Sequence, residues 1–278
     1  MAQSRRSFLQ QGTKAIIAIT AASALHRIDS GARAWKKRQV LHRFALFSDG
    51  HYGQKNTDYA GFHTQMVNWL NAEHKIRGLD FSVVNGDLIH DNPAFVPELK
   101  EHLARLTMPW YPCHGNHDMM PENEWQQALG HPYNYVIEQK QAAFVFLNTA
   151  DDKGTYICEP TVWIEQQLKQ FAKKKHLVVV MHITPFNWTP NGKPHPDLVK
   201  LFDAQTNLKA VFHGHDHDID DWKEHNGKFY FFDGHTGGSW GKPYRGYRIV
   251  ELWKDGTLAT WQMDPSTNAT VNTKTLDG

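Results

Sequence analysis

An α/β fold with a closing antiparallel run is what this sequence predicts, on three observations. Short apolar segments of strand length alternate with amphipathic ones through most of the chain. Toward the end, strand-like segments follow one another directly, with the hairpin signals Asn226-Gly227 and Asp255-Gly256 between them. Apolar residues make up 40% and charged residues 21% of 278 positions, enough to bury the core of one large or two small domains. Full-length disorder and a polytopic membrane protein are set aside by the same balance.

The strand-like segments are 44–48, 81–85, 110–113, 143–148, 177–181, 210–212, 229–232, 247–253 and 258–263. Helical stretches lie at 58–74, 94–106, 122–129, 161–175 and 196–204. In the fourth of these, Trp163, Ile164, Gln167, Leu168 and Phe171 set one face at three- and four-residue spacing, and Lys173, Lys174 and Lys175 fit the last turn. No internal repeat, coiled coil or low-complexity linker is present. Residues 35–278 therefore read as a single domain, with a polar tail from about 265 that is expected to be loose.

Residues 1–34 read as an export signal: a basic start, a short apolar run over 15–25, and the small-residue site Ala32-Arg33-Ala34. Eleven residues rise only about 16 Å as a helix, too short for a hydrocarbon core of about 30 Å. Arg5-Arg6-Ser7-Phe8-Leu9 resembles a twin-arginine signal, which implies the twin-arginine export machinery as a partner and a periplasmic or otherwise exported location. Cleavage is expected after Ala34, with Ala22-Ser23-Ala24 as the alternative site; the competing reading is an amphipathic first helix. Five bases and one acid leave with this segment, taking the formal charge from +1 to −3.

Neither charge supports a dedicated nucleic-acid binder. The two cysteines, Cys113 and Cys158, exclude a disulfide-stapled scaffold and a Cys-rich zinc site. They could pair outside the cytoplasm, although a chain folded before export need not form that bond. The unusual count is 18 His, which directs attention to imidazole chemistry.

Ligand-type residues gather at strand ends. Segment 44–48 runs into Asp49-Gly50-His51, 81–85 into Gly86-Asp87, and 110–113 into His114-Gly115-Asn116-His117-Asp118. Segment 177–181 runs into His182, and 210–212 into His213-Gly214-His215-Asp216-His217. In open α/β sheets ligands bind outside the carboxyl ends of the strands, so five such ends can converge on one site. Asp, Asn and His without thiolate suit Mn, Fe or Zn. Asp-x-His and His-x-His put alternate side chains on one side of an extended segment.

Those five motifs, in this order, resemble the calcineurin-like metallophosphoesterase family from about residue 43 to 217, and 244–250 resembles its closing strand. The resemblance implies a four-layer sandwich of two mixed β-sheets flanked by helices, with two divalent or trivalent transition-metal ions. It implies that Asp49, His51 and His217 hold one ion, that Asn116, His182 and His215 hold the other, and that Asp87 bridges them. It further implies a hydroxide between the ions that attacks phosphorus, with His117 donating a proton to the leaving oxygen or stabilising the charge that develops there. Asp118 would orient His117 or His51. The reaction expected is hydrolysis of a small phosphomonoester or phosphodiester.

Other residues have narrower roles. His114 and His213 should point away from the site and pack. His90, three residues beyond Asp87, could touch substrate, and His235 lies in a Gly-rich loop that would rim the pocket with Trp240. Trp240 and Trp188 can stack on a substrate ring, against which stands local packing. Two rival functions are a noncatalytic binding module on the same fold and a periplasmic metal-binding protein. The first predicts no metal-dependent turnover. The second predicts clustered or repeated His rather than five strand ends with carboxylate and amide partners.

Overall fold

The computed structural model describes residues 39–278; the expected export signal lies outside the described residues. Among the described residues, twelve strands form two six-stranded mixed sheets. In the first, β1 (Val40–Phe47), β2 (Phe81–Asn85) and β3 (Trp110–Cys113) run parallel, and β10 (Tyr247–Trp253), β11 (Leu258–Asp264) and β12 (Ala269–Leu276) form an antiparallel run. Its order is β12-β11-β10-β1-β2-β3. The second comprises β4 (Tyr135–Gln139), β5 (Ala142–Leu147), β6 (His176–Met181), β7 (Leu208–His213), β8 (Trp222–His225) and β9 (Lys228–Phe232). In the order β4-β5-β6-β7-β9-β8, the four central strands are parallel and both edges antiparallel.

The helices are α1 (Tyr59–Arg77), α2 (Val96–Leu103), α3 (Glu122–Leu129), α4 (Thr161–Gln170) and α5 (Pro196–Asp203). Side-chain alternation along the strands makes three cores. Phe44, Leu46, Phe144, Phe146, Val180 and Phe212 fill the space between the sheets. Ala45, Phe47 and Val84 turn the other way, against Met66 and Leu70 of α1, Leu99 and Leu103 of α2 and Trp125 of α3. Val145, Val179 and Val211 face Ile164 and Leu168 of α4 and Phe202 of α5. Helices, sheet, sheet and helices are the four layers. Because both faces of the central strands are covered, those strands are near-continuous apolar runs.

Some expectations are corrected. The tail beyond 265 is not loose: β12 pairs with β11 along its length, and its β-branched Thr270, Val271, Thr273 and Thr275 suit a strand with one open edge. The edge strands β4 and β8 were also outside the expected set. Helix α4 stops at Gln170 and not 175, because Asn207 Nδ2 takes the carbonyls of Phe171 (3.0 Å) and Lys174 (2.9 Å) as the chain turns into β6. The stretch expected as helix over 94–106 is a 3₁₀ turn, Pro93–Phe95, followed by α2. Asn226 (φ 48°) and Gly227 (φ 73°) make the expected hairpin, joining β8 to β9. Both cysteines are free, Cys113 buried and Cys158 exposed. Among the described residues no helix is long and apolar enough to cross a membrane.

Candidate metal centre

Each predicted ligand leaves the carboxyl end of a parallel strand. Asp49 and His51 follow β1, Asp87 follows β2, Asn116 follows β3, His182 follows β6, and His215 and His217 follow β7. The turns are abrupt. Asp49 (φ 55°), His51 (φ 43°), Asp87 (φ 50°) and His215 (φ 70°) all occupy the left-handed region, which costs roughly 1–3 kcal/mol each for a non-glycine residue. Backbone bonds from Asp49 N–H to Gly86 O (3.0 Å) and from His51 N–H to Asp87 O (2.9 Å) hold the first two loops together. Gly214 has no side chain because Ser48 Oγ and Asp49 Oδ2 occupy the place a Cβ would take.

Six of the seven side chains fall into two groups. Ligand atoms of Asp49, His51 and His217 lie within 4.8 Å of one another, as do those of Asp87, His182 and His215. Asp87 reaches both: Oδ2 is 3.7 Å from His51 Nε2 and 3.2 Å from His182 Nε2, while Oδ1 accepts the His117 N–H at 2.7 Å. His217 Nε2 stands 3.1 Å from both Asp49 Oδ1 and His51 Nε2. Asn116 Oδ1, His182 Nε2 and His215 Nε2 are buried without a hydrogen-bond partner.

A buried set this rich in acceptors requires positive charge at its centre. The residues therefore fit metal ions, with nitrogen and oxygen donors of the kind Mn, Fe and Zn accept. Protonation shifts carry the same message. Burial opposes ionisation of Asp87, yet His182 and His51 hold its carboxyl well below the usual range; His217 and His182 do the same for Asp49. Burial also opposes charge on His182, but Asp87 and Asp49 push that imidazole up to about 10. Burial dominates at His51, lowered to about 3, and at His215, lowered to about 4, leaving both rings neutral.

His117 sits at the opening, part-exposed, with Nδ1 2.6 Å from Asp91 Oδ1. Asp118, expected to orient His117 or His51, does neither. Its carboxylate accepts Ile89 N–H (3.0 Å) and Gly115 N–H (2.9 Å) and so fixes the backbone under the site. Alternation turns Asp118 away from its neighbour, and Asp91, from the loop after β2, takes the place assigned to it. His90 Nδ1 lies 3.0 Å from His51 Nδ1, and its ring stacks on His117 at 4.8 Å.

His235 is buried rather than on the rim. Its nitrogens face Gly237 O (2.6 Å) and Lys242 O (2.9 Å), and its ring stacks on His217. Trp240 is 43% exposed and lies parallel to His217 at 4.5 Å. Trp188 packs on Phe186 and Tyr230. His114 and His213 turn inward as expected, onto Asn148 and Met181 O. Sequence reasoning missed Asp91 and Tyr156, whose ring edge meets His215 at 5.1 Å. The signal for Asp91 was its place four residues after Asp87; Tyr156 had none.

A family model described as calcineurin-like phosphoesterase matches residues 42–218. No curated protein matches the sequence. Among solved structures, a dimetal phosphatase from Danio rerio superposes with a TM-score of 0.69 at 11% identity, covering 86% of this chain and 99% of that one. A purple acid phosphatase from yellow lupin, Lupinus luteus, gives 0.66 at 15% identity, covering 85% of this chain but 53% of its own. The calcineurin-like phosphoesterase YfkN from Bacillus subtilis gives 0.50 at 12% identity, with 86% and 90% covered. At these identities the likeness is one of fold.

Proposed function

Because the chain belongs to the calcineurin-like phosphoesterase family, we propose that it is a dinuclear metal-dependent hydrolase of small phosphate esters, exported by the twin-arginine route. The observation that carries this reading is that carboxylate oxygens lie within 3.7 Å of ligand nitrogens from both metal-binding groups, Asp87 Oδ2 beside His51 and His182 and Asp49 Oδ1 beside His217 and His182. Asp49, His51 and His217 would hold one ion; Asn116, His182 and His215 the other; Asp87 would serve both. Ions there supply Lewis acidity for phosphoryl oxygens and make a bound water acidic.

The chain's own residues do the rest. His182 Nδ1–H donates to Asn85 O (2.7 Å) and His217 Nδ1–H to Trp240 O (3.2 Å), so both rings present Nε2 lone pairs. Asp91 Oδ1 accepts from His117 Nδ1–H, so a proton handed to a leaving oxygen would be one carried on Nε2. Trp240 adds a flat apolar surface beside His217, suited to the organic part of an ester.

The test is metal content and turnover together. Protein purified with its native metal should carry two ions per chain and hydrolyse an aryl phosphomonoester or diester. Fewer than one ion, or turnover that survives Asp87→Ala, would sink the reading. Export is tested separately: a variant with Lys in place of Arg5 and Arg6 should stay in the cytoplasm, and its appearance outside would remove the twin-arginine assignment.

A further inference from the structure

His182 and His217 each donate Nδ1–H to a backbone carbonyl. A carbonyl can only accept, so when each ring is neutral its proton stays on Nδ1 and Nε2 is the lone pair. His51 is built differently. Its Nε2 faces Asp87 Oδ2 at 3.7 Å and His217 Nε2 at 3.1 Å, but its Nδ1 meets another imidazole, Nδ1 of His90, at 3.0 Å. That contact has two senses. If His51 donates, its Nε2 can bind a cation; if His90 donates, the proton of neutral His51 sits on Nε2 and closes it.

We propose that His90 is a positioning residue that accepts from His51 Nδ1–H and so holds His51 in its metal-binding tautomer; this rests on the metal-centre reading above. His90 Nδ1 is an acceptor when its own proton is on Nε2, and that nitrogen faces Asp91 Oδ2 at 3.9 Å, beyond a hydrogen bond but close enough for charge to favour the N–H there. The other Asp91 oxygen holds His117 Nδ1 at 2.6 Å, and the two imidazoles stack at 4.8 Å and 13°. One carboxylate therefore orients the proton donor directly and a metal ligand through His90.

The experiment strips the full chain with chelator and titrates Zn2+ against a chromophoric competitor. Wild type should take two equivalents. His90→Leu, similar in bulk but without an acceptor, should bind one equivalent about 10- to 100-fold more weakly and leave the other unchanged. His90→Asn, whose side-chain oxygen can stand where Nδ1 stands, should recover most of that loss. Two tight equivalents in His90→Leu would overturn the inference and confine His90 to substrate contact, seen as a raised KM. An Asn variant as weak as the Leu variant, with the wild-type melting temperature, would overturn it too. A wild type that takes up no zinc would instead bring down the metal centre itself.

Discussion

The two sheets contribute unequally to the site. Strand ends of the first sheet deliver Asp49, His51, Asp87 and Asn116, and its loops also carry Asp91 and His117. Strand ends of the second deliver imidazoles alone, His182, His215 and His217. Negative charge is thus fixed on one half of the sandwich, and on the other half sit donors whose charge depends on protonation. Backbone strain follows the same division, with Asp49, His51 and Asp87 left-handed on the first side and only His215 among the ligands on the second. A cation held between them would join a strained anionic wall to imidazoles that must shed their protons to bind it.

The largest expected effect comes from removing Asp87, the carboxylate proposed to serve both ions. Asp87→Ala should strip both ions and lower turnover of an aryl phosphate by about 10⁴-fold or more, whereas His182→Ala should strip one. Equal metal loss in the two variants would break the contrast between the sheets. His117→Ala should keep both ions and lose about 10²-fold on an alkyl ester, less on an aryl ester whose leaving group needs no proton. An equal loss on both esters would remove His117 as the donor.

Proton linkage sharpens the same contrast. His182 is held up at about 10 in the metal-free chain, so its contribution to stability is full below the ordinary histidine range and fades as pH rises through about 10. Loading must expel that proton, so affinity should rise with pH toward tenfold per unit. Chelated protein should therefore lose more melting temperature between pH 7 and pH 9.5 than loaded protein. The smallest effect lies where the sheets touch. Gly214→Ala places a methyl group against Ser48 Oγ and Asp49 Oδ2 and should destabilise by about 1–3 kcal/mol in a denaturant titration.

How much was legible follows from burial. Strands covered on both faces, such as β5 and β6, are fully buried and stand out as apolar runs, unbroken in β5 and over 177–181 in β6. The edge strands β4, β8 and β12 keep a side toward solvent, carry polar residues there, and gave no such run. The ligand positions were readable because Asp, Asn and His beside glycine interrupt apolar strands at their ends. Asp91 and the His51–His90 contact were not readable. They depend on the loop after β2 folding back, through Asp91 at φ 63° and the bond from Asp91 N–H to His117 O, onto the loops after β1 and β3. Chain spacing pointed to Asp118 instead, and a neighbour in sequence turned out to face the wrong way.

The two thiols have a use unrelated to catalysis. Cys113 is fully buried, with Sγ toward Leu147 O, and burial pushes its thiol pKa up, so a folded chain offers a thiol reagent only Cys158. One equivalent should label at once, and the second only as fast as the sheets part. The chain carries its own opening clock, readable by mass, with the label on Cys113 counting how often the layer between the sheets meets water.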